Sequence, residues 1–588
     1  MIREIISDLG SFKPLRFREG LNIILADKTD KSTDRQSRNG AGKSSIIEII
    51  HFLFGGEAGK GSIFRTQALQ DHTFFIDFDL GDEKTTIGRS GQKPADIQIL
   101  HGSTGKWPYQ PRQNKKYSHP IISNVHWRET LGNITFGLDV HQEIGKSPFE
   151  PTFRQLFSYF VRRHSSGAFH EPQSQNSKQQ SWDIQVALSF LLGLDWTIPR
   201  RFQELRIKER TIKELRKGIK EGGFVGFLEA AADIRTRVTL TEARVRRFQT
   251  ALAEFRVVPE YSALEREANE ITARIRSHSD DNTTDRALAA KLEEAFHQED
   301  PPGVAQLGQV YKEAGVILPE KVTKRFEDVI KFHQAIIENR RAHLQSEIDQ
   351  ANRRIAGRER EMAERETRRA QIMGILRSGG ALEHYTKIQE ELARSEGEAQ
   401  SLRQSLMLAE DLENRQTSVA IERTQLLQRL QEDHHEQEET IRNAIIKFGE
   451  LSSELYERAG NLVISTSEGG PRFEVKIEGA RSRGITNMQI FCFDMMLMAL
   501  NAERGLGPGF LVHDSHLFDG VDERQVANAL QIGSEKAKEH NFQYIVTMNS
   551  DALPKEGFRH DFNVRDFVIE PQLTDETETG GLFGIRFG

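Results

Sequence analysis

A single cysteine, Cys492, in 588 residues excludes an internal disulfide framework. The chain also lacks a charged-then-apolar leader and any apolar run of membrane-spanning length, so it is expected to be cytoplasmic and to make no membrane contact. A global basic excess is missing too. With a formal net charge of −7, any nucleic-acid surface must be a local patch. Apolar residues make up only 37% of the chain and charged ones 28%, too polar a balance to pack everything into compact cores. Much of the sequence is therefore expected to be solvated helix.

What is present is a phosphate loop near one end and its usual complement near the other. Ser37-Arg38-Asn39-Gly40-Ala41-Gly42-Lys43-Ser44 follows an apolar strand, Leu21 to Ala26, and precedes an apolar helix from Ser44 to Phe54. Glycines in such a loop let backbone N–H groups wrap the β- and γ-phosphates of ATP at a helix N-terminus. Lys43 neutralises phosphate charge, and the Ser44 hydroxyl reaches Mg²⁺. Phe510-Leu511-Val512-His513-Asp514 is an apolar strand closing on a carboxylate, the group expected to supply the second Mg²⁺ contact. The polar stretch between Ala26 and the loop is longer than a strand needs, and a lid or a partner contact fits it.

Phe74 to Leu80 alternates with period two and reads as a half-buried strand, which makes the first lobe, residues 1–199, α/β. Residues 200–455 carry a helical period instead. Leu205, Ile212, Leu215 and Ile219 suggest an ascending arm, interrupted at Gly222-Gly223 and Pro259. Leu344, Ile348, Ala351, Ile355, Met362, Ile372 and Leu376 lie on one four-three ladder. Beyond Gly379-Gly380, Tyr385, Ile388, Leu392, Ala399, Leu402, Leu406 and Ala409 form a second. An antiparallel coiled-coil arm accounts for these ladders, with its apex between Asn282 and Arg340 or nearer Gly379-Gly380; a helical bundle is the alternative. Arg200, Arg201, Arg206, Lys208, Arg210, Lys213, Arg216 and Lys217, with Arg235, Arg237, Arg244, Arg246 and Arg247, make the ascending segment basic. They suit either salt-bridged helix faces or sequence-independent grip on DNA phosphates.

Residues 456–588 return to short strands, Leu462 to Ser465 and Phe473 to Ile477. The Ala480 to Thr486 loop then opens an apolar helix from Met488 to Leu500. The free N–H groups and positive dipole end at such a loop favour an anion. In ATPases that dimerise head to head such a loop caps the γ-phosphate held by the other subunit, and Ser482 and Gly484 are the residues in that place here. His513 and His516 lack a matching ligand set and read as packing residues, as does Cys492.

The order of these parts resembles the structural-maintenance-of-chromosomes and RecN/SbcC-type branch of the ABC ATPases, and the last lobe resembles the C-terminal domain of YydD-like proteins. The residues that carry the resemblance are Asn39 to Ser45, Arg481 to Ile485, Phe510 to Ser515 and Val546 to Asp551. The resemblance implies a split ABC-type α/β head whose two lobes flank the arm. It also implies an ATP-gated homodimer acting on DNA, with separate effector or accessory subunits, in a bacterial DNA-maintenance or phage-defence system. Departures from the family pattern are informative. Ser37 replaces the first glycine, while Asn39, Gly40 and Gly42 retain the tight backbone. Ser515 stands where the water-polarising glutamate belongs, and a serine is no base near neutral pH. Asp519, Asp522 and Glu523 lie nearby as substitute carboxylates, Asp522 the one placed among the catalytic residues. Met548 or Asn549 replaces the switch histidine, and arginines occupy Phe160-Val161-Arg162-Arg163, where a Mg²⁺-sensing glutamine is usual. Slow ATP hydrolysis is the expected outcome. The alternative is a non-hydrolysing scaffold locked as a dimer by ATP.

Overall fold

The computed structural model describes the chain apart from residues 28–41, 115–116, 141–146, 222–229, 256–258, 299–319, 377–381, 457–459, 477–482, 560, 575–578 and 586–588. The chain forms two compact units, Met1–Lys208 with Val419–Gly588, and Glu209–Ser418.

The first unit is mixed α/β. Strands β1 (Ile2–Ser7), β2 (Leu15–Arg16), β4 (Thr73–Leu80), β5 (Glu83–Ser90), β6 (Asp96–His101) and β7 (Ile121–Ser123) form an antiparallel sheet in the order β2-β1-β4-β5-β6-β7. β4 alternates buried and half-buried positions along its length, as its period-two pattern predicts. A second, parallel sheet has the order β10-β11-β3-β12, from β3 (Leu21–Asp27), β10 (Phe510–His513), β11 (Gln543–Asn549) and β12 (Leu573–Thr574). Six successive residues of β3 are buried, which a strand covered on both faces requires. Asn22 is tolerated there because its amide bonds Arg18 O at 2.7 Å while its oxygen accepts from Arg18 N at 2.8 Å. β3 lies between strands from the far end of the chain, with Ala26 opposite Asn549. The two ends of the sequence thus build one sheet.

Helix α1 (Lys43–Leu53) buries Ile46, Ile47, Ile49 and Ile50. Its last carbonyls have no partners within the helix. Trp127 on α2 (Asn124–Phe136) donates to Leu53 O at 2.9 Å, and Arg154 on α3 (Phe153–Phe157) to Phe54 O at 3.0 Å. The buried Arg89 bonds Phe52 O and Gly56 O. Desolvation lowers the Arg89 guanidinium to about 9, still cationic at neutral pH, and a cation complements a helix C-terminus. Helix α4 (Ser181–Leu192) completes the N-terminal lobe.

The second unit is helical, built from α6 (Ala231–Ala253), α7 (Pro259–Gln298), α8 (Glu320–Leu376) and parts of α5 (Thr197–Glu221) and α9 (Leu382–Glu436). Side-chain pairs give the direction of each helix. Arg235 meets Glu410 and Glu242 meets Arg403, so α6 and α9 are antiparallel. Glu267 meets Arg368 and Asp285 meets Arg354, so α7 and α8 are antiparallel. Asn269 bonds Tyr385 while Arg276 bonds Ala393 O, so α7 and α9 run parallel. The chain therefore reverses between α6 and α7, again between α7 and α8, and a third time between α8 and α9. This corrects the expected single out-and-back arm. The α7–α8 and α8–α9 reversals fall in the two stretches offered for the apex, so the chain turns at both rather than at one, and the α8 ladder seals against α7 through Leu264, Ala268, Ile271, Ile372 and Leu376; Gly379-Gly380 lie outside the described residues. Both ladders pack in large part as their spacing predicts: Ile348, Ala351, Ile355, Ile372, Leu376, Tyr385, Ala399, Leu402 and Ala409 are buried, while Leu344, Met362, Ile388, Leu392 and Leu406 are half-buried. On the ascending helix Leu215 is 48% exposed where Leu205 and Ile212 are buried, and the side chain of Ile219 lies outside the described residues.

The C-terminal lobe of the first unit contains α10 (Glu438–Leu455), the antiparallel hairpin of β8 (Asn461–Ser467) and β9 (Gly470–Lys476), α11 (Arg483–Glu503) and α12 (Glu523–Glu539). α11 is nearly all buried, including Cys492.

Candidate functional site

All pairings within the second sheet are parallel, so β3, β10 and β11 end at one edge, where such sheets bind ligands. α1 starts there. Gly42 caps it with φ +85°, a left-handed conformation that L side chains rarely adopt, and a Cβ would lie 2.9 Å from Leu582 Cβ. Both constraints require glycine.

Lys43 is buried, and its Nζ donates to Asn549 Oδ1 at 2.5 Å across 506 residues of sequence. Ser44 Oγ donates to Asp514 Oδ2 at 2.9 Å across 470 residues. Asp514 is 1% exposed, and its other oxygen accepts from Ser515 Oγ and Thr547 Oγ1, each at 3.1 Å. Hydroxyls rather than a guanidinium hold this carboxylate, so no ion pair offsets its charge in these bonds. A hard divalent cation takes oxygen ligands, and the adjacent Ser44 hydroxyl and Asp514 carboxylate fit that requirement. Among the described residues no cluster of three or more His, Cys, Asp or Glu side chains suits a metal. Magnesium bound with substrate phosphates needs only one or two protein carboxylates.

Thr547 escapes a sequence reading, although a hydroxyl inside the apolar run Tyr544 to Met548 is itself a signal, since a buried polar group needs a partner. Of the two residues at the switch position, Met548 is core and Asn549 faces Lys43. Ser37, Arg38, Asn39, Gly40, Ala41 and Ser482 lie outside the described residues. Ser45 is half-buried in the first turn of α1. Gly484 sits in the first turn of α11, where a Cβ would fall 2.3 Å from Gly520 O, so close packing already explains this glycine. Asn487, one turn on, donates to His516 O and Asp519 O at 3.0 and 3.1 Å.

The nearby carboxylates are otherwise engaged. Asp522 caps α12, its Oδ1 accepting from Arg524 N at 3.0 Å. Glu523 accepts from Lys555 N at 3.0 Å, and Asp519 meets His516 Nδ1 at 3.0 Å and Arg483 at 3.4 Å. Asp522 makes no bond to the Lys43–Asp514 group among the described residues.

The arginines at 162 and 163 act structurally. Val512 N donates to Phe160 O at 2.8 Å, which brings this segment beside β10. Arg162 turns inward and pairs with Asp494 of α11 through two 2.6 Å bonds, both side chains fully buried. Asp494 also meets His513 Nε2 at 3.1 Å, and Tyr544 OH meets His513 Nδ1 at 3.0 Å. Burial lowers the pKa of His513 and raises that of the Tyr544 phenol, so the neutral imidazole donates to Asp494 and accepts from Tyr544. His513 is therefore a packing residue, fixed immediately before Asp514. Arg163 reaches back to Glu48 of α1 at 3.0 Å.

Several of the basic helix positions have acidic partners. Arg200 pairs with Glu150 and Glu204, Lys208 with Glu422, Arg210 with Glu214, Arg235 with Glu410 and Arg244 with Glu398. No described helix is long and apolar enough to cross a membrane.

Two family descriptions match parts of the chain. Residues 451–587 match "Uncharacterised protein conserved in bacteria (DUF2326)", and residues 287–413 match "C-terminal domain 10 of the ABC-three component (ABC-3C) systems". The chain is 21% identical to the uncharacterized protein YydD of Bacillus subtilis (strain 168), over 97% of this chain and 96% of that one. Among solved structures, an Smc head domain with coiled coil and joint from Pyrococcus yayanosii is similar at 12% identity and a TM-score of 0.36, covering 94% of this chain and 92% of that one. A structure titled as the recombination mediator protein RecF with ATPrS is similar at 10% identity and a TM-score of 0.27, covering 97% of each chain.

Proposed function

We propose that the chain is an ATP-binding protein with an ABC-type head assembled from residues 1–199 and 456–588, which flank the helical segment 200–455 in sequence. The observation that carries this reading is the 2.9 Å contact between Ser44 Oγ and Asp514, which joins the phosphate-loop helix to a strand end from the other end of the chain. Lys43 holds the β- and γ-phosphates, and Asn39 to Gly42 supply backbone N–H groups. Ser44 and Asp514 hold Mg²⁺, with Thr547 orienting the carboxylate. Magnesium there would neutralise charge on the phosphates. Ser482 and the N-terminus of α11 cap the γ-phosphate of a second copy, which makes the active form a homodimer.

The match of residues 287–413 to a domain of three-component systems supports an ATPase that works with separate subunits; service in DNA maintenance or in defence against mobile elements is the further part of this proposal. Contact with DNA rests on the basic residues that carboxylates leave free. Arg201, Arg246 and Arg247 are exposed and have no ion pair among the described residues. A second reading, an ATP-locked scaffold that does not hydrolyse, is favoured by Ser515, whose hydroxyl is bonded to Asp514 in the place of a base.

Phosphate release measured with and without duplex DNA tests these readings. Slow turnover accompanied by ATP binding is expected, and binding without release would support the scaffold. Changing Arg201, Arg246 and Arg247 together to glutamate is expected to weaken binding to unrelated duplexes alike. The slope of log K against log salt should shrink by about 0.9 for each DNA phosphate that the variant no longer neutralises. Equal affinity and slope in wild type and variant would assign these arginines to solvated helix faces.

A further inference from the structure

Ser515 leaves the nucleotide site without the side chain that normally holds the attacking water. Its hydroxyl donates to Asp514, Asp522 caps a helix, and Asp519 is paired with His516 and Arg483. One imidazole nearby is not committed. His164 follows the segment in which Val161 bridges to Val512, two residues before Asp514. Its ring stacks on that of His516, with centroids 3.8 Å apart and planes 22° apart. Neither of its ring nitrogens makes a hydrogen bond among the described residues.

Buried bonds fix this position. Arg162 Nη1 donates to Ala168 O at 2.6 Å and Ser174 O at 2.9 Å, and Nη2 to Pro172 O at 2.5 Å, so one guanidinium folds the loop that carries His164. Arg163 ties the same loop to α1 through Glu48. A solvent-exposed histidine is thus held at the mouth of the site by interior contacts.

We propose that His164 is a catalytic residue that accepts a hydrogen bond from the attacking water, in the role left vacant by Ser515. This rests on the nucleotide reading of Lys43, Ser44 and Asp514. The water oxygen forms a bond to the γ-phosphorus, and the bond from that phosphorus to its bridging oxygen breaks with the electron pair leaving on ADP. The proton that the water sheds ends on the released phosphate. Desolvation, then His516 and Arg483, push the pKa of His164 below its ordinary value, against the pull of Asp514 and Asp519. The imidazole is therefore neutral at pH 7 and able to accept.

Single-turnover phosphate release and ATP affinity, measured separately for wild type, His164→Ala and His164→Gln, test the assignment. His164 is exposed, so both variants are expected to fold. Alanine should cut the rate by about a hundredfold or more with ATP affinity within about twofold. Glutamine, which still accepts from water, should retain more activity than alanine. An alanine rate within about twofold of wild type, glutamine no better than alanine, or wild type that binds ATP without turnover would each overturn the role of His164. Absence of ATP binding by the wild type would instead defeat the nucleotide reading beneath it.

Discussion

Lys43→Ala is expected to weaken ATP binding by about tenfold to a hundredfold in a calorimetric titration. A charge-assisted hydrogen bond contributes about 1.5–3 kcal/mol, and each 1.4 kcal/mol is about tenfold in affinity. The fold should survive. Lys43 Nζ meets a neutral amide, Asn549 Oδ1, so its removal strands no opposite charge in that bond. Asn549 itself is only half-buried and can turn to water. Unchanged affinity in a variant with the wild-type circular dichroism spectrum would remove Lys43 from the phosphate site.

Asp494→Leu is expected to destabilise the first unit by about 3–5 kcal/mol, because it leaves the Arg162 guanidinium buried without its counter-charge. The double variant Arg162→Met with Asp494→Leu should recover much of that stability, since apolar side chains of similar volume replace both charges. Thermal unfolding of the two single variants and the double variant gives the coupling directly. Effects that simply add would mean that each residue contributes packing and that the ion pair is incidental. Removing Arg162 also releases Ala168 O, Pro172 O and Ser174 O, so Arg162→Met and the double variant should loosen the loop beside the nucleotide site as well, whereas Asp494→Leu keeps those bonds.

The parts of this site that sequence makes legible are those that depend on local pattern. Gly42-Lys43-Ser44 before an apolar helix, a largely apolar β3 and an aspartate following β10 each carry their own signature, and the structure brings Lys43, Ser44 and Asp514 together. Long-range pairing is where the signature fails. Arg162 stands at a position expected to sense magnesium, yet its partner is 332 residues away on α11, and a single sequence does not reveal such a pairing. Thr547 is similar: its hydroxyl is explained only by β11 lying beside β10. In the helical unit the four-three spacing marks many of the buried residues, among them Ile348, Ala351, Ala399 and Leu402, although Leu215 is exposed. It does not say which helix covers them, because the same ladder seals equally well against any apolar neighbour. The three reversals follow from partner choice, which ion pairs such as Arg354–Asp285 and Arg235–Glu410 make visible in the structure.

The composite site is tested most directly by the magnesium dependence of ATP binding. Affinity would be measured for wild type and Asp514→Asn, each with excess Mg²⁺ and with a chelator. Asparagine keeps the shape of the side chain and can still accept from Thr547, but it removes the charge that would hold the ion. Mg²⁺ is expected to tighten binding to the wild type, and in Asp514→Asn that gain should disappear while metal-free binding through Lys43 persists. An equal Mg²⁺ gain in both proteins would contradict the assembly of one nucleotide site from the two ends of the chain.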